Sequence, residues 1–213
     1  MADKILGHTL ISGDTGSGKS WTENAIVREL IRQDAQLVLI DPKMVELDEY
    51  KDDDHVQIYA DSLSGIADAL ETTYNIMFGR LETMKKSGKK TWSGRPIYVV
   101  IDELLPITTD KECRKNGTVG YLNQIAILGR AARVFLVVCT QKATRKSIPD
   151  MVKTCFYNRV CLRQFDERDY RYVLDQKVTP LRELYGECYV RTAGRPAEKM
   201  KSDDVVGMLM KGE

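Results

Sequence analysis

A glycine-rich loop near the amino terminus contains the residue types that hold phosphate groups. Residues 13–20 read Gly-Asp-Thr-Gly-Ser-Gly-Lys-Ser, which fits the pattern G-x-x-x-x-G-K-[ST]. The glycines let the backbone turn its amides towards an anion at the positive end of the next helix. Lys19 adds a cation for the same oxygens, and the Ser20 hydroxyl is suited to Mg²⁺. The loop therefore predicts a nucleoside triphosphate site. Its expected binding residues are Gly13, Asp14, Thr15, Gly16, Ser17, Gly18, Lys19, Ser20 and Trp21.

An acidic pair, Asp102-Glu103, directly follows the apolar run 96–101. The carboxyl ends of parallel strands meet at one edge of a sheet, so we expect this pair beside the phosphate loop. Asp102 would share Mg²⁺ with Ser20, and Glu103 would polarise a water in line with the γ-phosphate. This arrangement favours hydrolysis over transfer to a second substrate. The alternative is an acidic pair that caps a helix at a strand end.

A neutral side-chain amide ends the next apolar run. Gln141 follows residues 134–139 and Thr140, and its amide can reach both the attacking water and the γ-phosphate. We therefore predict that Gln141 reports hydrolysis to the loop that comes after it. An ordinary polar strand end is the alternative.

Apolar runs alternate with helical patterns along the chain, which predicts an α/β fold with a mainly parallel sheet and helices on both faces. Strands are predicted at 8–12, 36–41, 96–101, 133–139 and 157–163, and helices at 19–33, 63–86, 118–132 and 166–174. Ser62 or Ser64 would begin the second helix, and Ser87-Gly88 would end it. Residues 188–191 and 197–200, on either side of 193–196, predict a carboxyl-terminal β-hairpin.

The composition is that of one soluble domain covering residues 1–213. Hydrophobic residues make up 43% of the chain and charged residues 30%, with a net charge of +1, which excludes a disordered chain. No apolar stretch is long enough to cross a membrane, and residues 1–4 do not begin a signal peptide, so direct membrane insertion is not expected. The five cysteines form no C-x-x-C pair, which favours reduced thiols in the cytoplasm.

The charge is unevenly distributed along the chain. Residues 41–54 hold seven acidic residues against two lysines, whereas residues 80–95 hold six basic residues against one acid. Basic side chains on flexible loops can follow a DNA backbone without reading bases. Two basic segments are candidates for this role, and solvated surface charge is the alternative for both. The first holds Lys85, Lys86, Lys89 and Lys90, and the second holds Lys142, Arg145 and Lys146.

Taken in order, several blocks resemble the motor domain of the FtsK/SpoIIIE family of double-stranded DNA translocases, within the HerA–FtsK class of RecA-like P-loop ATPases. Residues 40–47, Ile-Asp-Pro-Lys-Met-Val-Glu-Leu, are similar to the family's IDPKxxEL segment. The acidic strand end at 100–103 is a second block. Gly-Arg-Ala-Ala at 129–132, followed by a strand and Thr140-Gln141, is a third, and residues 169–176 are a fourth. The resemblance runs from about residue 6 to residue 191, which makes it more specific than a phosphate loop alone.

This resemblance implies a hexameric ring with duplex DNA in its pore and with ATP and Mg²⁺ between subunits, although the isolated chain can be monomeric. Both basic segments suit pore loops. A ring also implies a basic residue that reaches the neighbour's site in trans. Arg130 matches the arginine of the Gly-Arg-Ala-Ala block, and Lys153 and Arg159 fall in a segment similar to the family's trans-acting region.

The chain also departs from the family pattern. Arg133 stands where the family usually has Gly, and Gln141 is followed by Lys142-Ala143 in place of Arg-Pro. Neither the segment that precedes the family's nucleotide core nor its winged-helix domain is expected, which indicates a minimal motor. Viral genome packaging or conjugative DNA transfer would use the same chemistry. A secretion-type module that acts on proteins and a regulatory nucleotide switch are rivals, and the intact catalytic residues disfavour both.

Overall fold

An eight-stranded sheet forms the centre of residues 6–192 and 194–210, which the computed structural model describes. Its strands are β1 Thr9–Ser12, β2 Gln36–Ile40, β3 Val56–Ala60, β4 Ile97–Ile101, β5 Val134–Thr140, β6 Asn158–Cys161, β7 Glu187–Arg191 and β8 Glu198–Lys201. The order across the sheet is β3-β2-β4-β5-β1-β6-β7-β8. The first six strands pair in parallel, and β7 and β8 are antiparallel to their neighbours.

Helices cover both faces of this sheet. They are α1 Lys19–Arg32, α2 Leu63–Ser87, α3 Leu105–Thr109, α4 Lys111–Lys115, α5 Thr118–Ala132, α6 Asp150–Lys153, α7 Glu167–Leu174 and α8 Val205–Leu209. Successive strand residues point to opposite faces, so the buried strands divide their side chains between two cores. Leu10 joins the core that includes α2 and α5, and Ile11 joins the core that includes α1 and α8. Within the described ranges, no helix combines the length and apolarity of a membrane span.

The predicted fold class is confirmed, and the longer elements end close to the predicted residues. The Ser62 hydroxyl accepts a hydrogen bond from the Gly65 amide at 3.2 Å and begins α2. Gly88, with a left-handed φ of 68°, ends it. β7 and β8 pair as the predicted hairpin. Ala193, in the predicted turn between them, lies outside the described residues.

One edge strand and several short helices were not predicted. β3 has five residues and mixes exposed Gln57 with half-buried Ile58 and Tyr59, so no continuous apolar run marks it. The helices α3, α4, α6 and α8 have at most five residues each, too few to show a helical period. Local caps hold such pieces: Asp110 accepts a hydrogen bond from the Cys113 amide at 2.9 Å at the start of α4.

The parallel strands give the sheet two chemically different edges. At the carboxyl edge the strands β1, β2, β4, β5 and β6 end, so that Ser12 lies beside Thr140 and Cys161. At the opposite amino edge these strands begin. The helices α2 and α5 run back to the amino edge, where the Trp92 amide donates to the Ala131 carbonyl at 2.9 Å. Residues that follow strands are therefore grouped at one edge, and residues that end these helices are grouped at the other.

Candidate nucleotide site

The phosphate loop follows β1 and enters α1 through two left-handed glycines. Gly16 has a φ of 78° and Gly18 a φ of 91°, a region in which a residue with a Cβ is strained. Gly13 is needed because of close packing: a Cβ there would lie 2.4 Å from Ser17 Oγ and 2.8 Å from Leu162 Cβ. The glycine pattern thus corresponds to real conformational and packing requirements.

Backbone hydrogen bonds hold the loop between β5 and β6. The Gly13 amide donates to the Thr140 carbonyl at 3.3 Å, and the Asp14 amide donates to the Arg163 carbonyl at 3.0 Å. The Ser17 amide closes the turn by donating to the Asp14 carbonyl at 3.1 Å. The loop is therefore anchored from both sides.

A cleft of about 400 Å³ opens on this loop, which is a volume typical of small-molecule sites. Its lining consists of Asp14, Thr15, Gly16, Gly18, Lys19, Ser20, Trp21, Lys43, Glu46 and Gln141. The loop residues and Gln141 were expected there from the sequence, whereas Lys43 and Glu46 were not. Gly13 and Ser17 support the loop without lining the cleft.

Asp102 lies opposite the loop lysine at the end of β4. It is fully buried, with Oδ1 3.5 Å from Lys19 Nζ and Oδ2 3.2 Å from Lys43 Nζ. Neither carboxylate oxygen accepts a well-formed hydrogen bond from the described part of the chain. A buried carboxylate with lone pairs still available has the donor chemistry that Mg²⁺ prefers.

Burial and the neighbouring acids act in opposite directions on the loop lysine. Burial disfavours the charged Lys19 ammonium, but the acidic groups around it, including Asp102, raise its pKa above the usual value. A further carboxyl, Glu23, is completely buried on α1. Burial raises the pKa of Glu23 well above its usual range, and the Asp102 charge raises it further.

Glu103 connects the ends of β4 and β5. It is almost completely buried, and its Oε2 accepts a hydrogen bond from the Gln141 amide at 3.2 Å. Its Oε1 accepts a longer bond from the Leu105 amide at 3.4 Å, and Lys43 Nζ lies 3.7 Å from Oε2. The structure thus brings Glu103 and Gln141 together beside Asp102.

Lys43 was not expected at this site from the sequence, and the fold shows how it reaches Asp102 and Glu103. Asp41, at the end of β2, is fully buried, and its Oδ2 accepts hydrogen bonds from the amides of residues 45–47 at 2.9–3.0 Å. This folds the loop back on itself and carries Lys43 to Asp102 and Glu103. The available signal was a lysine two residues after an acid at a strand end, within the IDPKxxEL-like block.

Arg130 and Arg159 both lie at the amino edge, away from their own phosphate loop. Arg130 lies in the last turn of α5, is exposed, and has its guanidinium carbon 5.0 Å from the centre of the Tyr157 ring. Its position is accessible to another molecule.

Arg159 has a different setting, which does not support the expectation that it acts in trans. It is buried, and it donates to the carbonyls of Phe156 and Lys153, each at 3.1 Å, and to the Asp175 carboxylate. Lys153 is also buried, with Nζ 2.6 Å from Asp175 Oδ1. Both cations are engaged inside their own subunit.

The two basic segments lie at opposite edges of the sheet. Lys142, Arg145 and Lys146 follow Gln141 at the carboxyl edge and are exposed. Arg145 Nε lies 3.0 Å from Asp150 Oδ2. The first segment, Lys85, Lys86, Lys89 and Lys90, is also exposed but lies at the end of α2. The structure therefore does not place the two segments side by side within one subunit.

Comparison with known proteins agrees with the resemblance found in the sequence. Residues 1–94 match the FtsK/SpoIIIE family model. The chain is 33% identical over 192 residues to the DNA translocase FtsK of Helicobacter pylori J99, an alignment that covers 81% of this chain and 22% of that protein. The chain thus spans about a fifth of the length of this curated relative.

Two solved structures share the fold. The pCW3 conjugation coupling protein TcpA, in its monomer form with ATPγS, superposes with a TM-score of 0.82 at 24% identity, covering 99% of this chain and 66% of that one. Thermomonospora curvata EccC, in complex with a signal sequence peptide, superposes with a TM-score of 0.71 at 19% identity, covering 92% of this chain and 38% of that one. The chain therefore matches the FtsK/SpoIIIE family model over residues 1–94, is similar to FtsK over most of its length, and has the RecA-like P-loop fold.

Proposed function

We propose that this domain hydrolyses ATP to move double-stranded DNA through a ring of subunits. One observation carries the proposal. Lys19 and Gln141 line one cleft, the Gln141 amide donates a hydrogen bond to Glu103 directly behind it, and an exposed basic loop begins at residue 142. A site for hydrolysis is thereby joined directly to cations that can contact a phosphate backbone. The likeness to FtsK translocases supports DNA as the cargo.

Each residue of the cleft has a chemical task in this proposal. The loop amides and Lys19 would bind the β- and γ-phosphates, and Ser20 and Asp102 would hold Mg²⁺. Mg²⁺, when bound, neutralises negative charge on the phosphate oxygens. Glu103 would accept a proton from the attacking water. The Gln141 backbone amide donates a hydrogen bond to the Glu103 carboxylate. A change at the γ-phosphate that moves Glu103 would therefore shift the loop that follows β5.

The ring would complete each site with a cation from the next subunit. Arg130 is the best-placed candidate because it is exposed and lies at the edge opposite its own phosphate loop, so it can serve only a neighbour. A guanidinium in trans stabilises transition-state charge and is worth about 10³-fold or more in rate. We propose a hexamer as the active form and the cytoplasm as its location.

The test is the ATPase rate with and without linear duplex DNA, using Glu103→Gln as the blank for contaminating activity. Stimulation by DNA, absent in the blank, is the expected result. Conjugative transfer and genome packaging would give the same result, so this experiment identifies the motor and not its biological setting. A chain without ATPase activity under any condition would overturn the proposal.

A protein-exporting ATPase is the second candidate, favoured by the likeness to EccC, which was solved with a signal sequence peptide. The catalytic site would be the same, and the cargo would differ. Stimulation by a signal peptide together with indifference to DNA would select this function. Stimulation by DNA alone would exclude it.

A further inference from the structure

Large apolar side chains are exposed on one side of the phosphate loop. Phe165, Leu184 and Tyr185 are 78%, 42% and 72% exposed. Phe165 follows β6, and Leu184 and Tyr185 precede the antiparallel strand β7, so both segments lie at the carboxyl edge. The packing of the domain does not explain three such side chains at this place, because burying them would be favourable.

These side chains lie beside the loop itself. A Cβ on Gly16 would be 3.7 Å from Leu184 Cδ2. On the other segment, the Asp14 amide donates to the Arg163 carbonyl at 3.0 Å, two residues before Phe165. The apolar group therefore borders the phosphate site directly.

The direction of the bound triphosphate follows from the strand order. Glu103 and Gln141, which would act on the γ-phosphate, come from β4 and β5 on one side of β1. β6 and β7 lie on the other side of β1. If the terminal phosphate faces β4 and β5, the nucleoside end of the ligand leaves the loop towards β6 and β7, where Phe165 and Tyr185 stand.

The Phe165 ring is arranged for stacking. The guanidinium carbon of Arg163 lies 4.7 Å from its centre, which covers one face by a cation–π contact. With 78% of the residue exposed, the other face is open to a planar ligand. An aromatic ring with a cation behind it is a good platform for a nucleobase.

We infer that Phe165, Leu184 and Tyr185 form the nucleobase platform of this site, with Phe165 stacking on a purine. The inference rests on the proposed function in requiring a nucleoside triphosphate at the loop. It adds the side chains that recognise the base, which no sequence motif marked. Stacking accepts any purine, so the platform would bind ATP and GTP by the same face.

The experiment compares ATP with inorganic triphosphate, which has no base. Binding of each is measured by calorimetry with Mg²⁺ in the Glu103→Gln background, where hydrolysis is blocked. Phe165→Ala should lower the affinity for ATP about ten-fold or more, since stacking on one base contributes about that much to binding. The same change should leave the affinity for inorganic triphosphate unchanged. Phe165→Trp should restore ATP binding. Tyr185→Ala should act in the same direction, and Phe78→Ala, an exposed aromatic on α2, is the matched control.

Three results would overturn the platform. Phe165→Ala and Tyr185→Ala could bind ATP like the parent, or they could lose ATP and triphosphate equally. They could also change ring assembly without changing ATP affinity, which would assign the patch to a neighbouring subunit. None of these touches the motor proposal, which depends on stimulation by DNA. Conversely, the variants could weaken ATP binding selectively while DNA leaves the ATPase rate of the parent unchanged. That result would support the nucleobase platform and contradict the DNA motor.

Discussion

Glu103 is held by two backbone amides, which fixes its carboxylate beside the cleft. Leu105 donates to one oxygen and Gln141 to the other. Glutamine has the same shape but cannot take a proton from water, so Glu103→Gln should keep ATP binding and lose about 10²- to 10⁴-fold in hydrolysis. The measurement is single-turnover ATPase together with calorimetric ATP binding. Lys19→Ala is the comparison, and it should lose binding as well.

A parental hydrolysis rate in Glu103→Gln would contradict the role given to this residue. Loss of ATP binding in the same variant would show that the carboxylate supports the cleft and is not limited to the chemical step.

Lys43 is the second residue-scale prediction. Its ammonium lies 3.2 Å from Asp102 and 3.7 Å from Glu103, so it can stabilise charge that develops at the γ-phosphate. Lys43→Ala should lower kcat by about 10²-fold, in the range found when one electrostatic contact to a transition state is removed. Lys51→Ala, on the same acidic segment but paired with Asp48, should leave kcat unchanged. Equal kcat values in the two variants would contradict a catalytic role for Lys43.

At the scale of elements, the separation of the two basic segments makes them distinguishable. Changing Lys142, Arg145 and Lys146 together to Ala should weaken duplex binding and lower the slope of log K against log salt by about 0.9 per lost phosphate contact. Filter binding at several salt concentrations gives the slope. Changing Lys85, Lys86 and Lys89 removes the same charge at the amino edge. If only this second variant lowers the slope, the DNA contacts lie at the amino edge of the sheet, and the loop after Gln141 is solvated surface.

Asp175 connects several elements through charge. It ends α7 with a left-handed φ of 49°, and its carboxylate meets Lys153, Arg159 and Arg191. Burial disfavours its charge, but hydrogen bonds from Lys153 and Arg159 outweigh this and lower the pKa of Asp175. Asp175, the second acidic residue of the 169–176 block, thus connects α6, β6, α7 and β7 through ion pairs.

For the whole molecule, His8 predicts a pH dependence of stability. It is buried between Phe135 and Phe156, and its Nδ1 accepts a hydrogen bond from the Leu136 amide at 2.9 Å. Burial, assisted by the charge of Arg130, lowers the pKa of His8 to about 4. The unfolded chain takes up this proton near pH 6.5, so the free energy of unfolding should fall by about 3 kcal/mol between pH 6.5 and 4.

Two measurements check this value. Urea unfolding from pH 4 to 7 gives the slope of stability. Proton NMR of the His55→Gln variant, which leaves one imidazole, gives the pKa of His8 directly. A titration near pH 6.5 would contradict the effect of burial.

Assembly is the second prediction at this scale. Subunits with Arg130→Ala should suppress parental ATPase activity beyond simple dilution when the two are mixed, because each would leave its neighbour's site without a cation. Arg159→Lys, a change inside the subunit, is the comparison. Its subunits should lower the ATPase activity of mixed rings only in proportion to their fraction. Activity that falls only in proportion to the parental fraction, in rings detected by light scattering, would exclude Arg130.

The sequence by itself determined the phosphate loop, the acid pair and the alternation of strands with helices. These depend on local requirements: glycines at left-handed or crowded positions, and apolar runs buried on both faces. Arg133 is informative here, because it has a φ of 54° where the family pattern has glycine. The position where the family has glycine is therefore a left-handed position in this backbone too, although this chain fills it with arginine.

Only the tertiary structure decided which distant residues meet and which basic residues face solvent. Lys43 reaches the acids because Asp41 folds its loop, and Arg159 is withdrawn because Asp175 lies beside it. The nucleobase platform joins segments about 20 residues apart, whose proximity depends on β7 running antiparallel to β6. No local pattern encodes these contacts, since they arise from strand order and from charges that neutralise one another across the fold.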